Sequence, residues 1–427
     1  MPAETTTQHL SHVWEDLAWN QGGKIVYLVL DGVGGLSHPD RSGTELQVAK
    51  TPHMDALTKE SSCGLLEIVG PGITPGSGPG HLALFGYDPL KYRIGRGILS
   101  ALGIDFDLQV GDIATRVNFA TVDDEGTVQD RRAGRISTEL NQKLCQKINE
   151  HVALDFDGTF FFETVSEHRA VFVLRGQQQD GQSNSQSNSQ SGQFLGGEVT
   201  DTDPQHTGVK PNPPKAQDES SQQTALLLQS FLRQVSEVLA DESPANMVLL
   251  RGVERYEPLP SLKERFKLRG LCIADYPMYR GVSRLIGMDV MDAPGGMRKR
   301  FESLKTVYDQ DYDFYFLHVK KTDSLGEDAN FDHKVALIEE VDSMLPSILD
   351  LDPDVLVITA DHSTPAVMGR HSWHSVPVLL KSKYVRIDPV ESFDEYACLY
   401  GSLGERPGCQ LMGLALAHAG RLRKFGA

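Results

Sequence analysis

Three near-continuous apolar segments stand out in the pattern of hydrophobic and polar positions. The segments 25–30 (IVYLVL), 314–319 (FYFLHV) and 355–360 (VLVITA) are rich in β-branched and aromatic residues and too short for a core helix. Strands that are apolar on both faces are typical of a parallel sheet covered by helices. The pattern therefore predicts an α/β fold with buried central strands.

Other segments carry helical or alternating periodicity. Helical spacing of apolar residues covers 50–60, 223–240 and 331–351. Strand-like segments occur at 114–123, 158–165, 169–176 and 246–252. Strand-like segments become frequent from about residue 112, which predicts a separate, smaller α+β domain.

The order of these elements predicts one domain interrupted by another. Acidic residues follow the first apolar segment, at position 31, and the last two, at 323 and 361. We expect these residues to form one site, and the two ends of the chain must then share a sheet. The predicted divisions are an N-terminal extension (1–23), a discontinuous metal-binding domain (24–111 and 281–427) and an inserted substrate-binding domain (112–280). The polar, low-complexity segment 177–193 is predicted to be a disordered loop.

Acidic residues follow each of the three apolar strands. Asp31, Asp323 and Asp361 lie where ligands gather in open α/β sheets, beyond the carboxyl ends of the strands. Any one of them alone could equally be a helix cap or a turn residue. Together with the neighbouring His362 they predict a metal site, and the mixture of carboxylate and imidazole suits Mn²⁺ or Zn²⁺ better than Ca²⁺.

Further ligands surround these acids. Glu327 lies four residues after Asp323, and RHSWH supplies His371 and His374. Six or seven candidate ligands are too many for one ion and enough for two. Two ions about 4 Å apart would stabilise the entering and the leaving oxygen of a phosphoryl transfer.

A glycine-rich loop supplies the candidate nucleophile. The sequence PGSGPGH contains Ser77 and ends at His81. Such a loop can present backbone N–H groups to a phosphate, although alone it is more typical of an exposed, flexible turn. A serine hydroxyl is unreactive near neutral pH without a base or a metal, so Ser77 is predicted to act as a metal-bound nucleophile.

Basic residues are the candidates for substrate binding. The segment DRRAGR clusters three arginines within an acidic chain, and guanidinium groups bind phosphate and carboxylate bidentately. Plain surface charge is the alternative for each of them. The predicted substrate-binding residues are Arg131, Arg132, Arg135, Arg116, Arg280, Arg284, Lys321 and His81, with Lys320 as the alternative lysine and helix packing as the alternative role of the histidine.

Composition narrows the classes of partner. The formal net charge of −17 comes without a basic stripe or tail, which argues against nucleic acid and membrane surfaces as partners. Five scattered cysteines without a CxxC spacing predict reduced thiols. Neither a signal peptide nor a membrane span is indicated, so a cytoplasmic location is expected.

Several motifs resemble one enzyme family. LVLDGVGG, AKTPHMDALTKE, PGITPGSGPGHLALFGYDPLKY, ATRVNFATVD, TDTDPQHTG, VKKTDSLGED, ITADHSTP and HSWHSVPVLL are similar to the archaeal-type cofactor-independent phosphoglycerate mutases of the alkaline phosphatase superfamily. The resemblance runs from residue 24 onward. It implies an alkaline-phosphatase-like α/β/α sandwich core with an inserted smaller α+β domain, and the glycolytic interconversion of 3- and 2-phosphoglycerate without bisphosphoglycerate.

The resemblance also implies roles for individual residues. The phosphoserine intermediate would form on Ser77. One metal ion would be held by Asp31, Ser77, Asp361 and His362, and the other by Asp323, Glu327 and His371, with His374 as the alternative to His371.

One position departs from the family pattern. Glu327 stands where most members have histidine, which favours Mn²⁺ or Mg²⁺ over softer ions and leaves Zn²⁺ as the alternative. Three other functions remain open from the sequence: a metal-dependent phosphomonoesterase, a mutase for another small phosphorylated metabolite, and a catalytically silent paralogue.

Overall fold

The structure, a computed structural model, describes residues 3–92, 94–176 and 195–426. The predicted disordered loop at 177–193 lies outside these residues. The chain divides into two compact units, the first comprising 1–93 and 259–427 and the second 94–258. Within the described residues, no helix has both the length and the apolar character needed to cross a membrane.

Strands and helices alternate along most of the chain. The strands are β1 (Ile25–Leu30), β2 (Ser62–Glu67), β3 (Ile113–Val122), β4 (Val128–Asp130), β5 (Gly158–Ser166), β6 (Arg169–Gly176), β7 (Met247–Arg255), β8 (Gly270–Ile273), β9 (Asp289–Met291), β10 (Phe314–Val319), β11 (Val355–Thr359), β12 (Val376–Ser382) and β13 (Gly404–Pro407). The α-helices are α1 (Ala3–Leu17), α2 (Glu45–Val48), α3 (Pro52–Thr58), α4 (Ser77–Leu84), α5 (Arg96–Gly103), α6 (Thr138–His151), α7 (Gln222–Val238), α8 (Leu262–Phe266), α9 (Pro277–Leu285), α10 (Met297–Val307), α11 (Lys321–Glu327), α12 (Phe331–Met344), α13 (Pro346–Leu349), α14 (Glu395–Cys398) and α15 (Leu411–His418).

The first unit is built on an eight-stranded mixed sheet. Its strand order is β13-β2-β12-β11-β1-β10-β8-β9, and β1 runs parallel to both β10 and β11. Every residue of these three strands is buried, as expected for apolar strands covered on both faces. The predicted α/β fold class is confirmed.

Strand register places the site. Leu30 is level with Val319 of β10, and Val29 is level with Thr359 of β11. The carboxyl ends of three adjacent parallel strands therefore meet at one edge of the sheet. The loops that leave β1, β10 and β11 start side by side.

The second unit has a five-stranded antiparallel sheet. β3 pairs with β4, β6 and β7, and β5 pairs with β6. Apolar residues of this sheet and of α6 and α7 form one core, in which Phe172 and Phe231 lie 4.2 Å apart between ring centroids. Sheet and helices together give this unit an α+β architecture.

The divisions of the structure differ from those predicted at 111/112 and 280/281. The helix α5 packs on β3 and β7, so the second unit begins at residue 94. The short strand β8 pairs with β10, so the first unit resumes at residue 259 and includes α9. Arg280 and Arg284 consequently belong to the first unit and not to the inserted one.

Candidate metal centre and nucleophile

Three loops at one edge of the large sheet bring the strand-end acids together. Asp31 follows β1 directly, Asp361 comes two residues after the end of β11, and Asp323 lies in α11 after β10. All three carboxylates are buried. Buried carboxylates are expensive to leave without a compensating cation, so the arrangement indicates ion binding.

The first metal group consists of Asp31, Asp361 and His362, with ligand atoms within 4.8 Å of one another. His362 Nε2 lies 3.2 Å from Asp31 Oδ1 and 3.3 Å from Asp361 Oδ2. Neither of these buried oxygens forms a hydrogen bond of acceptable geometry within the described residues. Oxygen atoms so oriented fit a divalent cation.

The second metal group consists of Asp323, His362 and His371. His371 Nε2 is 3.3 Å from Asp323 Oδ1 and 3.8 Å from Glu327 Oε1. The Glu327 side chain is 54% exposed, so it borders the group from the solvent side. His362 belongs to both groups, and its ring stacks on that of His371 with the centroids 3.7 Å apart.

The other histidine of the RHSWH segment makes different contacts. His374 Nδ1 is hydrogen-bonded to Ser372 Oγ at 3.1 Å, and its ring stacks on Trp373. In contrast, His371 Nδ1 is held by the carbonyl of Pro75 at 3.0 Å, which leaves Nε2 directed at Asp323. A backbone partner of this kind fixes the orientation of a metal-ligating imidazole.

Ser77 begins the helix α4 beside the first metal group. Its Oγ lies 3.2 Å from His362 Nε2. The loop approaches the β11 end closely, because a Cβ on Gly80 would come within 2.4 Å of the Asp361 carbonyl oxygen. A helix N-terminus also favours a negatively charged group near Ser77.

Cationic and hydroxyl groups surround Asp31. Lys320 Nζ is 3.4 Å from Asp31 Oδ2 and also pairs with Asp323, whereas Lys321 is exposed. Tyr279 donates its hydroxyl hydrogen to Asp31 Oδ2. His318 Nε2 lies 3.4 Å from the same oxygen. Of the two candidate lysines, Lys320 is therefore the one that contacts the acids, and Tyr279 and His318 were not foreseen.

The charges shift the pKa values in the directions expected of a cation site. Burial opposes ionisation of Asp31, but the close approach of His318 and His362 and the charge of Lys320 lower its pKa well below the usual range. Burial lowers and Asp323 raises the pKa of His371, with a net rise to about 9. Burial lowers the pKa of His318 to about 4. The Asp31 carboxylate is thus ionised and ready to bind a cation at neutral pH.

His81 does not reach the surface of the site. It is fully buried, and its Nδ1 lies 2.8 Å from the carbonyl oxygen of Ser77 and 3.2 Å from Asp361 Oδ2. Its ring packs against those of Tyr279 and Phe316. These contacts orient a carboxylate, and they contradict the expectation that His81 touches the substrate phosphate.

The arginines of the second unit differ in their bonding. Arg131 forms a bidentate pair with the buried Asp203, at 2.7 and 2.8 Å. Arg132 and Arg135 are exposed. Burial is the main cause that lowers the pKa of His168 to about 3. The positive charges of nearby arginines lower it further, and these are Arg169, Arg116, Arg132 and Arg135. These four arginines thus form a local positive cluster around His168 in an acidic chain.

Arg280 has a partner of its own in the first unit. Its Nη2 lies 2.7 Å from Asp292 Oδ1. Arg284 follows one turn later in α9. Neither belongs to the cluster around His168.

Comparison with known proteins gives a consistent result. A family model described as 2,3-bisphosphoglycerate-independent phosphoglycerate mutase matches residues 58–246. A probable 2,3-bisphosphoglycerate-independent phosphoglycerate mutase of Thermus thermophilus is 49% identical over 418 residues, which cover 97% of this chain and 99% of the relative. A protein of the same description from Aquifex aeolicus is 45% identical over 421 residues, covering 97% of this chain and all of the relative.

Solved structures of archaeal proteins share the fold. A protein of Pyrococcus horikoshii is 28% identical with a TM-score of 0.78, over 95% of this chain and 100% of that one. A cofactor-independent phosphoglycerate mutase of Thermoplasma acidophilum is also 28% identical, with a TM-score of 0.66 over 93% of this chain and 100% of that one. With relatives matched over nearly their full length, this chain belongs to the 2,3-bisphosphoglycerate-independent phosphoglycerate mutase family.

Proposed function

We propose that this chain interconverts 3-phosphoglycerate and 2-phosphoglycerate through a phosphoserine at Ser77, with two divalent metal ions and without bisphosphoglycerate. The observation that carries the proposal is the position of Ser77 Oγ, 3.2 Å from the histidine that both metal groups share. Relatives of the same description, matched along almost the whole chain, support a mutase over the phosphatase and silent-paralogue alternatives.

The residues fit two ions of the Mn²⁺ or Mg²⁺ type. Asp31, Ser77, Asp361 and His362 would hold one ion, and Asp323, Glu327 and His371 the other. Carboxylate oxygens with one or two imidazoles are the donors these ions accept. When bound, the ions would stabilise negative charge on the transferring phosphoryl group.

The protein's own groups then carry out the transfer. Ser77 Oγ attacks phosphorus, the bond from phosphorus to the substrate oxygen breaks, and that oxygen takes up the proton equivalent that the serine hydroxyl loses. The glycerate turns, its other hydroxyl oxygen attacks the phosphoserine, and Ser77 is regenerated. Lys320, next to Asp31 and Asp323, supplies positive charge for the phosphate oxygens.

The substrate must be retained between the two transfers. We assign the glycerate carboxylate to Arg132 and Arg135, which are exposed within the positive cluster of the second unit. Arg131 instead neutralises Asp203. Retention of the glycerate supplies a high effective concentration of the second hydroxyl. We also propose that the enzyme is cytoplasmic.

Purified protein with Mn²⁺ and 3-phosphoglycerate, without bisphosphoglycerate, is expected to form 2-phosphoglycerate. ³¹P NMR distinguishes the two esters from each other and from inorganic phosphate. A matched sample treated with a chelator is expected to be inactive until Mn²⁺ is restored. Release of inorganic phosphate as the main product would instead indicate a phosphatase, and the absence of any product would indicate a silent paralogue.

Glu327→Ala is expected to weaken the binding of one Mn²⁺ ion by on the order of 10- to 100-fold, because it removes an oxygen beside His371. Glu327→His is expected to retain activity and to shift preference toward softer ions such as Zn²⁺. Calorimetric titration with Mn²⁺ and Zn²⁺ measures both effects. The neighbouring exposed acid provides the control, Asp328→Ala, which is expected to titrate like the parent. Parent-like metal binding by Glu327→Ala would remove Glu327 from the second metal group.

A further inference from the structure

A fully buried lysine contacts the backbone of two loops that carry metal-group residues. Lys334, in the first turn of α12, has no exposed surface. Its Nζ donates hydrogen bonds to the carbonyl oxygens of Gly32, at 3.0 Å, and of Thr364, at 2.8 Å. Glu45 Oε1 lies 3.6 Å away. A buried ammonium group is costly to desolvate, so a lysine with these partners has a specific structural task.

The two carbonyl groups belong to different ligand-bearing loops. Gly32 immediately follows Asp31 at the end of β1, and Thr364 comes two residues after His362 beyond β11. The backbone N–H of Thr364 donates to Gly32 O at 3.1 Å. One ammonium group thus joins the two loops next to the ligands that they carry.

Thr364 extends this connection to the third loop. Its hydroxyl donates to Asp323 Oδ1 at 2.7 Å and lies 3.0 Å from His362 Nδ1. Asp323 belongs only to the second metal group, and His362 belongs to both. The position of Thr364 therefore affects how far apart the two groups lie.

Two acids, the buried Glu45 and the partly buried Glu395, fix the outer ends of the same loops. Glu45 Oε1 accepts a hydrogen bond from the backbone N–H of Ala366 at 2.7 Å. Glu395 Oε1 accepts one from the N–H of Gly35 at 2.6 Å. Each loop is consequently held by Lys334 near its metal ligand and by a carboxylate farther along the chain. Such an arrangement leaves the loops little freedom to move independently.

We propose that Lys334 is a positioning residue, which sets the distance between the two metal groups by holding Thr364, the residue whose hydroxyl contacts both Asp323 and His362. The inference rests on the proposed function, because it assumes that both groups bind metal. It concerns the spacing of the two ions and not the chemical step alone. Metal binding can therefore test it without an assay of turnover.

Lys334→Met is expected to disturb the pair of ions in the Mn²⁺-loaded protein. Two Mn²⁺ ions about 4 Å apart are magnetically coupled, and the parent is expected to show the electron paramagnetic resonance spectrum of a coupled pair. Methionine fills much of the lysine volume but cannot donate to Gly32 or Thr364. The coupled signal is expected to decrease in favour of isolated Mn²⁺, and the second ion is expected to bind about 10- to 100-fold more weakly.

A variant on the same helix controls for general loss of stability. Asp342 accepts backbone hydrogen bonds from His53 and Met54 at the start of α3, away from the ligand loops. Asp342→Asn is expected to lower the denaturation midpoint while leaving the coupled Mn²⁺ spectrum unchanged. If Lys334→Met does not fold, Thr364→Val decides the question, because it removes the hydroxyl at the same junction. Thr364→Ser retains the hydroxyl and is expected to restore the parent spectrum.

Two results would overturn the inference. One is a folded Lys334→Met, or a folded Thr364→Val if that variant must be used, with the coupled spectrum and the Mn²⁺ affinities of the parent. The other is an equal loss of coupling in Asp342→Asn, which would show a general effect of stability. A parent protein that binds fewer than two Mn²⁺ ions would contradict the proposed metal pair itself, and with it the inference, so the two failures are distinguishable.

Discussion

Ser77→Ala is expected to reduce phosphoryl transfer by at least about 10⁴-fold, because the variant lacks the group that accepts the phosphate. Mn²⁺ binding should change far less, since Asp31, Asp361 and His362 all remain. Steady-state assays with 3-phosphoglycerate measure the first effect. Intact-protein mass spectrometry after rapid quenching measures the phosphorylated protein, which should be present in the parent and absent from the variant.

The adjacent loop offers a matched control for the loss of a hydroxyl. Ser363 is buried next to His362, but its Oγ donates to the carbonyl of His374 at 3.0 Å and does not face the nucleophile. Ser363→Ala is expected to keep phosphoserine formation within a few-fold of the parent. Turnover of Ser77→Ala above about one per cent of the parent would rule out a covalent intermediate on this serine.

Sequence patterns predicted the central strands well because burial on both faces leaves a strong signal. The bounds of β1 and β10 match the apolar segments, and β11 ends one residue before the segment does. The helix expected over 331–351 is interrupted: α12 ends at Met344 and α13 begins at Pro346. Proline lacks the N–H that an uninterrupted helix would need at this position, so periodicity alone overestimated the helix.

The sequence patterns failed mainly at the short strands. β8 and β9 have only four and three residues, and they are recognisable only by their pairing with distant parts of the chain. Because they were not foreseen, the predicted division between the domains, at 280/281, fell within α9 instead of before β8. A four-residue segment has no periodicity that separates it from a loop.

The candidate site shows the same contrast between local and distant information. Asp31 and Asp361 could be found because they follow apolar strands directly. Tyr279 lies 248 residues from Asp31 in the chain, and its sequence gives no sign that its hydroxyl reaches that carboxylate. Lys320 and Lys321 are adjacent, and only the geometry at the start of α11 determines which one faces the acids. Lys334 carries the pattern of an ordinary helix lysine although it is fully buried.

The double variant Arg132→Ala/Arg135→Ala tests what separates a mutase from a phosphatase. It is expected to lower the rate of isomerisation by about 10²- to 10⁴-fold, because two charge-assisted contacts to the glycerate carboxylate are lost. Phosphoserine formation should fall less than isomerisation, since Ser77 and the ligands of both metal groups are unchanged. Once glycerate escapes, water becomes the acceptor, and the fraction of turnovers that end in inorganic phosphate should rise.

The ratio of 2-phosphoglycerate to inorganic phosphate, followed by ³¹P NMR, measures this partition directly. Arg233, exposed on α7 of the same unit, provides the charge-matched control Arg233→Ala, which is expected to leave the ratio unchanged. Arg131→Ala is expected to act differently, lowering the free energy of unfolding by about 1–3 kcal/mol because Asp203 loses its bidentate partner. An unchanged product ratio in the double variant would show that Arg132 and Arg135 do not retain the glycerate. The two other arginines near His168, which are Arg116 and Arg169, would then be the candidates for this role.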